Sequence, residues 1–166
     1  MLILICGLPA TGKSTVARQL AKVLDAELLR TDIIRKEVIK NPLYTEEEKE
    51  QIYRTIFLIA DYLIKADVNV IIDGTFYRDR LRNRAREIAK KRGKRFFLIV
   101  TRCPEDIVLK RLESRRRNLR SPSDADVDVY YKIKGIFEEI QGEHIEIETG
   151  WNIRDAVRDV VKKIKA

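Results

Sequence analysis

Cysteine, histidine, methionine and tryptophan are scarce in this chain: 166 residues hold two Cys and one each of the others. Cys6 and Cys103 lie too far apart to read as a disulfide framework, and with a single histidine they make no zinc site. Each ends an apolar run that reads as a buried strand, where a small apolar thiol fits, so a reducing, cytoplasmic setting is expected. No apolar run approaches the ~18 residues that a membrane span needs. The first apolar run leads straight into a glycine-rich turn, which argues against a secretory signal. Internal repeats, low-complexity tracts and Pro/Gly/Ser-rich linkers are also lacking. Residues 1–166 are therefore expected to form one domain, large enough for a core without disulfide or metal.

Charge is abundant. Asp, Glu, Lys and Arg make up 36% of the chain, with a formal net charge of +8. A basic balance favours anionic partners such as nucleotides or nucleic acid. An ion-rich surface of the thermophile kind would give the same composition, so charge alone selects no partner.

The organising stretch is Gly7-Leu8-Pro9-Ala10-Thr11-Gly12-Lys13-Ser14-Thr15. It follows Leu2-Ile3-Leu4-Ile5-Cys6, which reads as a buried strand, and precedes a helix-like segment from Val16 to Leu24. Strand, G-x-x-x-x-G-K-S and helix together make a phosphate-binding loop. Gly7 and Gly12 can take backbone angles closed to other residues, so successive N–H groups can converge on one anion. The helix beginning near Lys13 adds its positive dipole end. Lys13 is then placed to reach the β- and γ-phosphates of a nucleoside triphosphate, and the Ser14 hydroxyl to join a Mg²⁺ shell.

Strand-like and helix-like segments alternate along the rest of the chain, which predicts an α/β fold with a parallel sheet covered on both faces. Strands are expected at 26–30, 68–73, 95–100 and 144–148. Helices are expected at 33–39, from Thr45 through Leu63, at 78–92, and from Pro104 through Leu112 into an arginine-rich stretch. A break at Ser121-Pro122-Ser123 precedes a helix carrying Tyr130, Ile133, Phe137 and Ile140. A last helix follows the turn Gly150-Trp151-Asn152. Thr45-Glu46-Glu47-Glu48 reads as a capping box, with the Glu48 side chain reaching back to the first amide. Ligands of such sheets lie beyond the carboxyl ends of the strands, where Cys6, Asp32, Asp73 and Arg102 fall.

Asp32 at such an end can take the proton of an attacking hydroxyl, while Arg35, one turn later, holds an anionic acceptor. Plain helix capping by Thr31 or Asp32 is the alternative. Asp73 ends an apolar strand, the place for a carboxylate that holds Mg²⁺ directly or through water; capping of the Gly74-Thr75 turn is its alternative. Arg111, Arg115, Arg116, Arg117 and Arg120 form the densest basic cluster, where a closing lid (about 111–125) would deliver guanidinium charge. Arg115 with one neighbour is the expected pair. Arg78, Arg80, Arg82, Arg84 and Arg86 recur at a period of two, which on a helix lets only one or two enter a site. The rest would be wet surface, or a basic groove for nucleic acid. His144 is expected to be structural, on an edge strand.

The phosphate loop, Thr31-Asp32 with Arg35, and Val-Ile-Ile-Asp-Gly-Thr-Phe around Asp73 together resemble small P-loop kinases. The chain is similar over nearly its whole length to the kinase domain of phage polynucleotide kinase, zeta-toxin-like proteins and the AAA-type predicted kinases. The resemblance implies a three-layer P-loop NTPase fold with a five-stranded parallel sheet of order 2-3-1-4-5 and a helical lid. It also implies ATP with Mg²⁺, and transfer of the γ-phosphoryl group to an acceptor hydroxyl. By position, Gly7, Pro9, Ala10, Thr11, Gly12, Lys13, Ser14 and Thr15 cradle the nucleotide, with Ser14 and Asp73 toward the metal. Asp32 is the base, Arg35 and Asp73 face the acceptor, and Arg115 or Arg116 is the lid arginine. The acceptor, a small molecule or a polynucleotide 5′-hydroxyl, varies too widely in this group to be carried over. A nucleotide switch or ATPase without acceptor, an ATP-liganded nucleic-acid-binding module and a nucleoside-monophosphate kinase are the competing readings. No Asn-Lys-x-Asp motif supports a GTPase, and a carboxylate at Asp32 suits a hydroxyl better than an already ionised phosphate.

Overall fold

Leu2–Cys6 forms the central strand, β1, and all five of its residues are buried. Its side chains alternate between two cores. Leu2, Leu4 and Cys6 join one apolar cluster, and Ile3 and Ile5 join the other. Burial on both faces explains why the run is apolar without interruption.

The computed structural model describes residues 1–116 and 124–166, with Arg116 described in its backbone only. Around β1 stand β2 (Ala26–Arg30), β3 (Asn69–Asp73), β4 (Phe96–Arg102) and β5 (Ile145–Glu148). All pairings are parallel and the order is β2-β3-β1-β4-β5, as the resemblance implies. Ile5 of β1 is level with Asp73 of β3, and Arg30 of β2 is level with the same Asp73. The loops that follow these strands therefore leave the sheet side by side.

Among the described residues there are seven helices: α1 (Lys13–Leu24), α2 (Thr31–Val38), α3 (Glu46–Lys65), α4 (Asp79–Lys91), α5 (Glu105–Arg116), α6 (Val127–Ile136) and α7 (Ile153–Lys165). Helices α3 and α4 cover one face of the sheet through Ile56, Phe57, Ala60, Leu81 and Ala85. Helices α1 and α7 cover the other through Val16, Leu20, Val157 and Val160. A smaller cluster of Ala10, Val108, Leu112 and Tyr130 fastens the phosphate loop to α5 and α6. No described helix is long and apolar enough to cross a membrane.

Several boundaries differ from the sequence expectation. Helix α1 begins at Lys13, where the phosphate-loop pattern places its start, three residues ahead of the segment from Val16, because Gly12 at φ +85° turns the chain directly into it. Helix α2 begins at Thr31, which puts Asp32 inside its first turn. Helix α6 ends at Ile136, yet Phe137 and Ile140 still pack on the α3–α4 core. They are held there by Arg82, which is 1% exposed. Its guanidinium donates to the carbonyls of Phe76 (3.0 Å), Glu138 (3.2 Å) and Glu139 (2.7 Å). His144 lies just before β5, with Nδ1 2.9 Å from the Gly142 carbonyl. The expected break at Ser121-Pro122-Ser123, and Arg117 and Arg120, lie outside the described residues.

Candidate functional site

The phosphate loop is braced from beneath by three threonines. Thr11 Oγ1 donates to the Leu8 carbonyl at 2.7 Å and lies 2.7 Å from Thr101 Oγ1. Thr149 Oγ1 donates at 2.6 Å to the Thr11 carbonyl. Gly7 sits at φ +148°, and a Cβ there would fall 2.4 Å from Thr101 Oγ1. Only glycine fits against that brace. Lys13 follows the turn, with its Nζ donating to the Leu8 carbonyl at 2.7 Å. Burial pushes the Lys13 pKa down, and the carboxylates of Asp73 and Asp32 oppose the shift.

Ser14 Oγ donates to Asp73 Oδ2 at 2.6 Å, and Arg30 Nε stands 3.3 Å from the same oxygen. Asp73 is 4% exposed, so it is a buried carboxylate facing the loop rather than a cap for Gly74-Thr75. Those two turn residues bond elsewhere: the Gly74 amide to the Ile5 carbonyl, and the Thr75 carbonyl to the Gly7 amide.

Asp32 makes no capping bond at the start of α2, nor does Thr31, whose hydroxyl donates to the Asp73 carbonyl at 3.3 Å. The capping alternative is thus not what either side chain does. Burial raises the Asp32 pKa above the ordinary carboxylate range, although Lys13 pulls it back. Arg35 Nη1 is 3.7 Å from Asp32 Oδ1, and Arg35 Nε is 3.2 Å from Glu48 Oε1. The second pair is close but misaligned for a hydrogen bond, so it holds by charge. The Arg35 guanidinium also lies 4.9 Å from the centre of the Tyr44 ring.

Glu48 corrects the capping-box expectation. Thr45 does accept from the Glu48 amide at 3.2 Å. The Glu48 carboxylate, however, passes over the Thr45 amide and accepts from Leu43 (2.6 Å) and Tyr44 (3.1 Å). The buried cation of Arg35 draws it there, and two amides satisfy its other oxygen.

These groups open onto one cleft of about 460 Å³. Pro9, Ala10, Gly12, Lys13, Ser14 and Thr15 form its floor, and Asp32, Arg35, Asp73 and Arg115 stand in its walls. Burial lowers the Arg115 pKa, and the Asp32 carboxylate is the charge that most opposes that shift. Gly7 and Thr11, behind the floor, shape it without lining it. The side chain of Arg116 lies outside the described residues.

Two basic groups fall elsewhere than expected. Arg111 donates to the carbonyls of Ala10 (3.2 Å) and Thr149 (2.7 Å), so it ties the loop to the end of β5. None of the five arginines from Arg78 to Arg86 lines the cleft. Arg78 pairs with Glu46 and Arg80 with Glu50; Arg82 is buried; Arg84 and Arg86 lie over Phe57 and Phe96. Helix α4 turns Leu81, Arg82, Ala85 and Ala89 inward, away from the cleft. Sequence reasoning missed Arg30, Tyr44, Glu48, Lys49, Tyr53, Tyr77 and Lys132, all of which line or shape the cleft. They come from four separate segments, and no local motif joins them.

A parallel sheet of this order, with a braced loop feeding α1 and a carboxylate from the adjacent strand on the loop's serine, defines the class: a small P-loop kinase fold. The chain belongs to the AAA_33 family, described as an AAA domain, whose model matches residues 2–140. It is 27% identical over 99% of its length to the L-seryl-tRNA(Sec) kinase of Methanococcus maripaludis, and spans 61% of that protein. Among solved structures, the APS kinase CysC of Mycobacterium tuberculosis with AMPPNP and APS superposes with a TM-score of 0.73. The two chains are 16% identical, and 99% of this chain and 97% of that one are covered. Chaetomium thermophilum Kti12 in complex with ADP-AlF3 gives 0.73 at 18% identity, covering 99% and 97%.

Proposed function

We propose that the chain is an ATP-dependent kinase that transfers the γ-phosphoryl group to an acceptor hydroxyl. The observation that carries this reading is the placement of Asp32. A carboxylate with raised proton affinity stands in the same cleft as Lys13, Ser14 and Asp73. A hydroxyl nucleophile needs such a base, and its position beside a phosphate loop gives it a target.

In this reading the amides at the turn into α1, Gly12 to Ser14, and the Lys13 ammonium hold the β- and γ-phosphates. Ser14 Oγ and Asp73 are hard oxygens 2.6 Å apart and fit a Mg²⁺ ion, which takes one or two protein oxygens along with phosphates and waters. Bound there, the ion neutralises charge on the β- and γ-oxygens. Among the described residues no three His, Cys, Asp or Glu side chains form a metal cluster of their own. Asp32 accepts the proton of the acceptor hydroxyl as its oxygen bonds to the γ-phosphorus. The bond from that phosphorus to the β,γ-bridging oxygen breaks, and ADP leaves. Arg35 lies beside Asp32 on the acceptor side. Arg115, near the end of α5, brings a guanidinium to the transferring group, with Arg116 as the alternative; residues 117–123 of the expected lid lie outside the described residues.

The Methanococcus relative is named for an RNA-borne acceptor, which keeps nucleic acid among the candidate acceptors beside small molecules. The test is calorimetry with Mg·ATP, followed by γ-labelled ATP with a panel of nucleosides, 5′-hydroxyl oligonucleotides, sugars and amino acids. Binding of Mg·ATP and label transfer to one acceptor are expected, and Lys13→Ala should abolish transfer. Absence of binding, or hydrolysis that no acceptor alters, would overturn the kinase reading.

A further inference from the structure

Beyond the phosphate loop the cleft extends between α2, the first half of α3 and α6, and its walls change character. Tyr44, Tyr53 and Tyr77 supply aromatic surface there, and Lys132 on α6 supplies charge. Three cleft charges are met from outside it: Arg35 by Glu48, Lys49 by Glu46 and Asp124 by Lys36. Among the described lining residues, Lys13, Arg18, Arg30, Arg115 and Lys132 then face Asp32 and Asp73. This surplus exceeds the charge of a magnesium-bound triphosphate. An uncharged acceptor would leave the cleft with positive charge unmatched, on a wall that includes the exposed Lys132.

The aromatic wall is held at a conformational cost. Tyr44 has φ +57°, a left-handed backbone that residues with a side chain rarely adopt. It is fixed there from several directions. Its amide and that of Leu43 donate to Glu48 Oε2, its hydroxyl bonds Asp124, and Arg35 lies over its ring. One buried carboxylate, Glu48, thereby sets both the cation and the ring. Strain that the surroundings over-determine in this way is characteristic of ligand-contacting positions.

Resting on the kinase reading, we propose that the acceptor carries a planar ring and an oxyanion in addition to its hydroxyl. Tyr44 is the stacking face for the ring, and Lys132 is among the cations that receive the oxyanion. Glu48 is a positioning residue: it touches no substrate and acts by holding Arg35 and Tyr44. A ring stacked on the face of Tyr44 that Arg35 leaves open gains about 5- to 150-fold in affinity, enough to sort acceptors by binding alone.

The test titrates the protein, saturated with Mg·ADP, with three probes in a calorimeter. Uridine 3′-monophosphate has ring, phosphate and free hydroxyl; uridine lacks the phosphate; glycerol 3-phosphate lacks the ring. The first should bind about tenfold tighter than either of the others. Tyr44→Ala should erase its advantage over glycerol 3-phosphate, and Lys132→Gln should erase its advantage over uridine. Glu48→Gln should weaken it about tenfold while Mg·ADP affinity stays at the wild-type value, which also reports that the variant is folded. The dinucleoside phosphate UpU separates two sources of the same chemistry: tighter binding than the mononucleotide supports a strand end, weaker binding a free nucleotide. Equal affinities for the three probes, no probe binding to a protein that does bind Mg·ADP, or an indifferent Tyr44→Ala would each overturn the proposal. Failure of Mg·ADP itself to bind strikes the kinase reading instead.

Discussion

Replacing Asp32 with Asn separates a catalytic role from a structural one, because the two roles predict opposite changes in stability. The amide keeps the shape of the side chain and removes its charge. What the fold loses is small. The ion pair with Arg35 spans 3.7 Å with the carboxylate 38% exposed, and exposed pairs contribute about 0–1 kcal/mol. Arg35 keeps Glu48 at 3.2 Å. What the fold gains is relief from partly burying a charge, the main cause of the raised Asp32 pKa. For a carboxyl whose folded pKa lies above its unfolded value, the native state binds the proton more tightly. Stability is then greatest where the group is protonated in both states, and falls as pH rises through the two pKa values. Asp32→Asn should therefore match the wild type in acid. It should be equally or more stable at neutral pH, with the gap opening across the raised carboxylate range. Transfer should fall about 10²–10⁴-fold, the usual contribution of a general base, or about 3–5 kcal/mol of barrier. The assays are thermal unfolding from acid to neutral pH, Mg·ATP calorimetry, and label transfer to the acceptor found in the panel. Transfer within threefold of wild type would refute the base assignment. A fall in Tm at neutral pH would show that Asp32 is held for the fold.

Wild-type transfer should rise with pH as Asp32 loses its proton, with a midpoint above the ordinary carboxylate range, and the rise should vanish in Asp32→Asn. Gly7→Ala drives a Cβ to 2.4 Å from Thr101 Oγ1, which itself braces Thr11. Strain of this kind costs about 1–3 kcal/mol, so Tm should drop by about 3–10 °C, with Mg·ATP affinity falling by more in proportion. Arg82→Leu leaves the carbonyls of Phe76, Glu138 and Glu139 without a buried donor. Urea denaturation should show a loss of about 3–5 kcal/mol, while Mg·ATP affinity measured below the transition stays unchanged.

The phosphate loop was legible because its whole mechanism is local: two glycines, one lysine and one serine within a single strand–turn–helix unit. The helical and strand segments were legible for the same reason, through their hydrophobic periods. The resemblance supplied the strand order, which places Asp73 beside the loop. Arg35 could be placed near Asp32 by one helical turn, but not against Glu48, because that pair depends on how α3 docks against α2. Arg82 was read as one of a basic run, although it shares a helix face with Ala85 and Ala89 at spacings of three and four. That spacing was the available sign that a charged side chain would be buried. The tyrosines and Lys132 carried no sign at all, since separate segments meet only in the folded cleft.

The equal height of Ile5 and Asp73 on adjacent strands has a consequence for how such a molecule can diversify. The nucleotide end is bolted to the sheet, whereas Arg35, Tyr44, Glu48 and Lys132 come from α2, the loop after it, α3 and α6, outside the five strands. A chimera exchanging residues 33–65 with those of another family member, which leaves Thr31 and Asp32 in place, should inherit a new appetite while keeping the same engine.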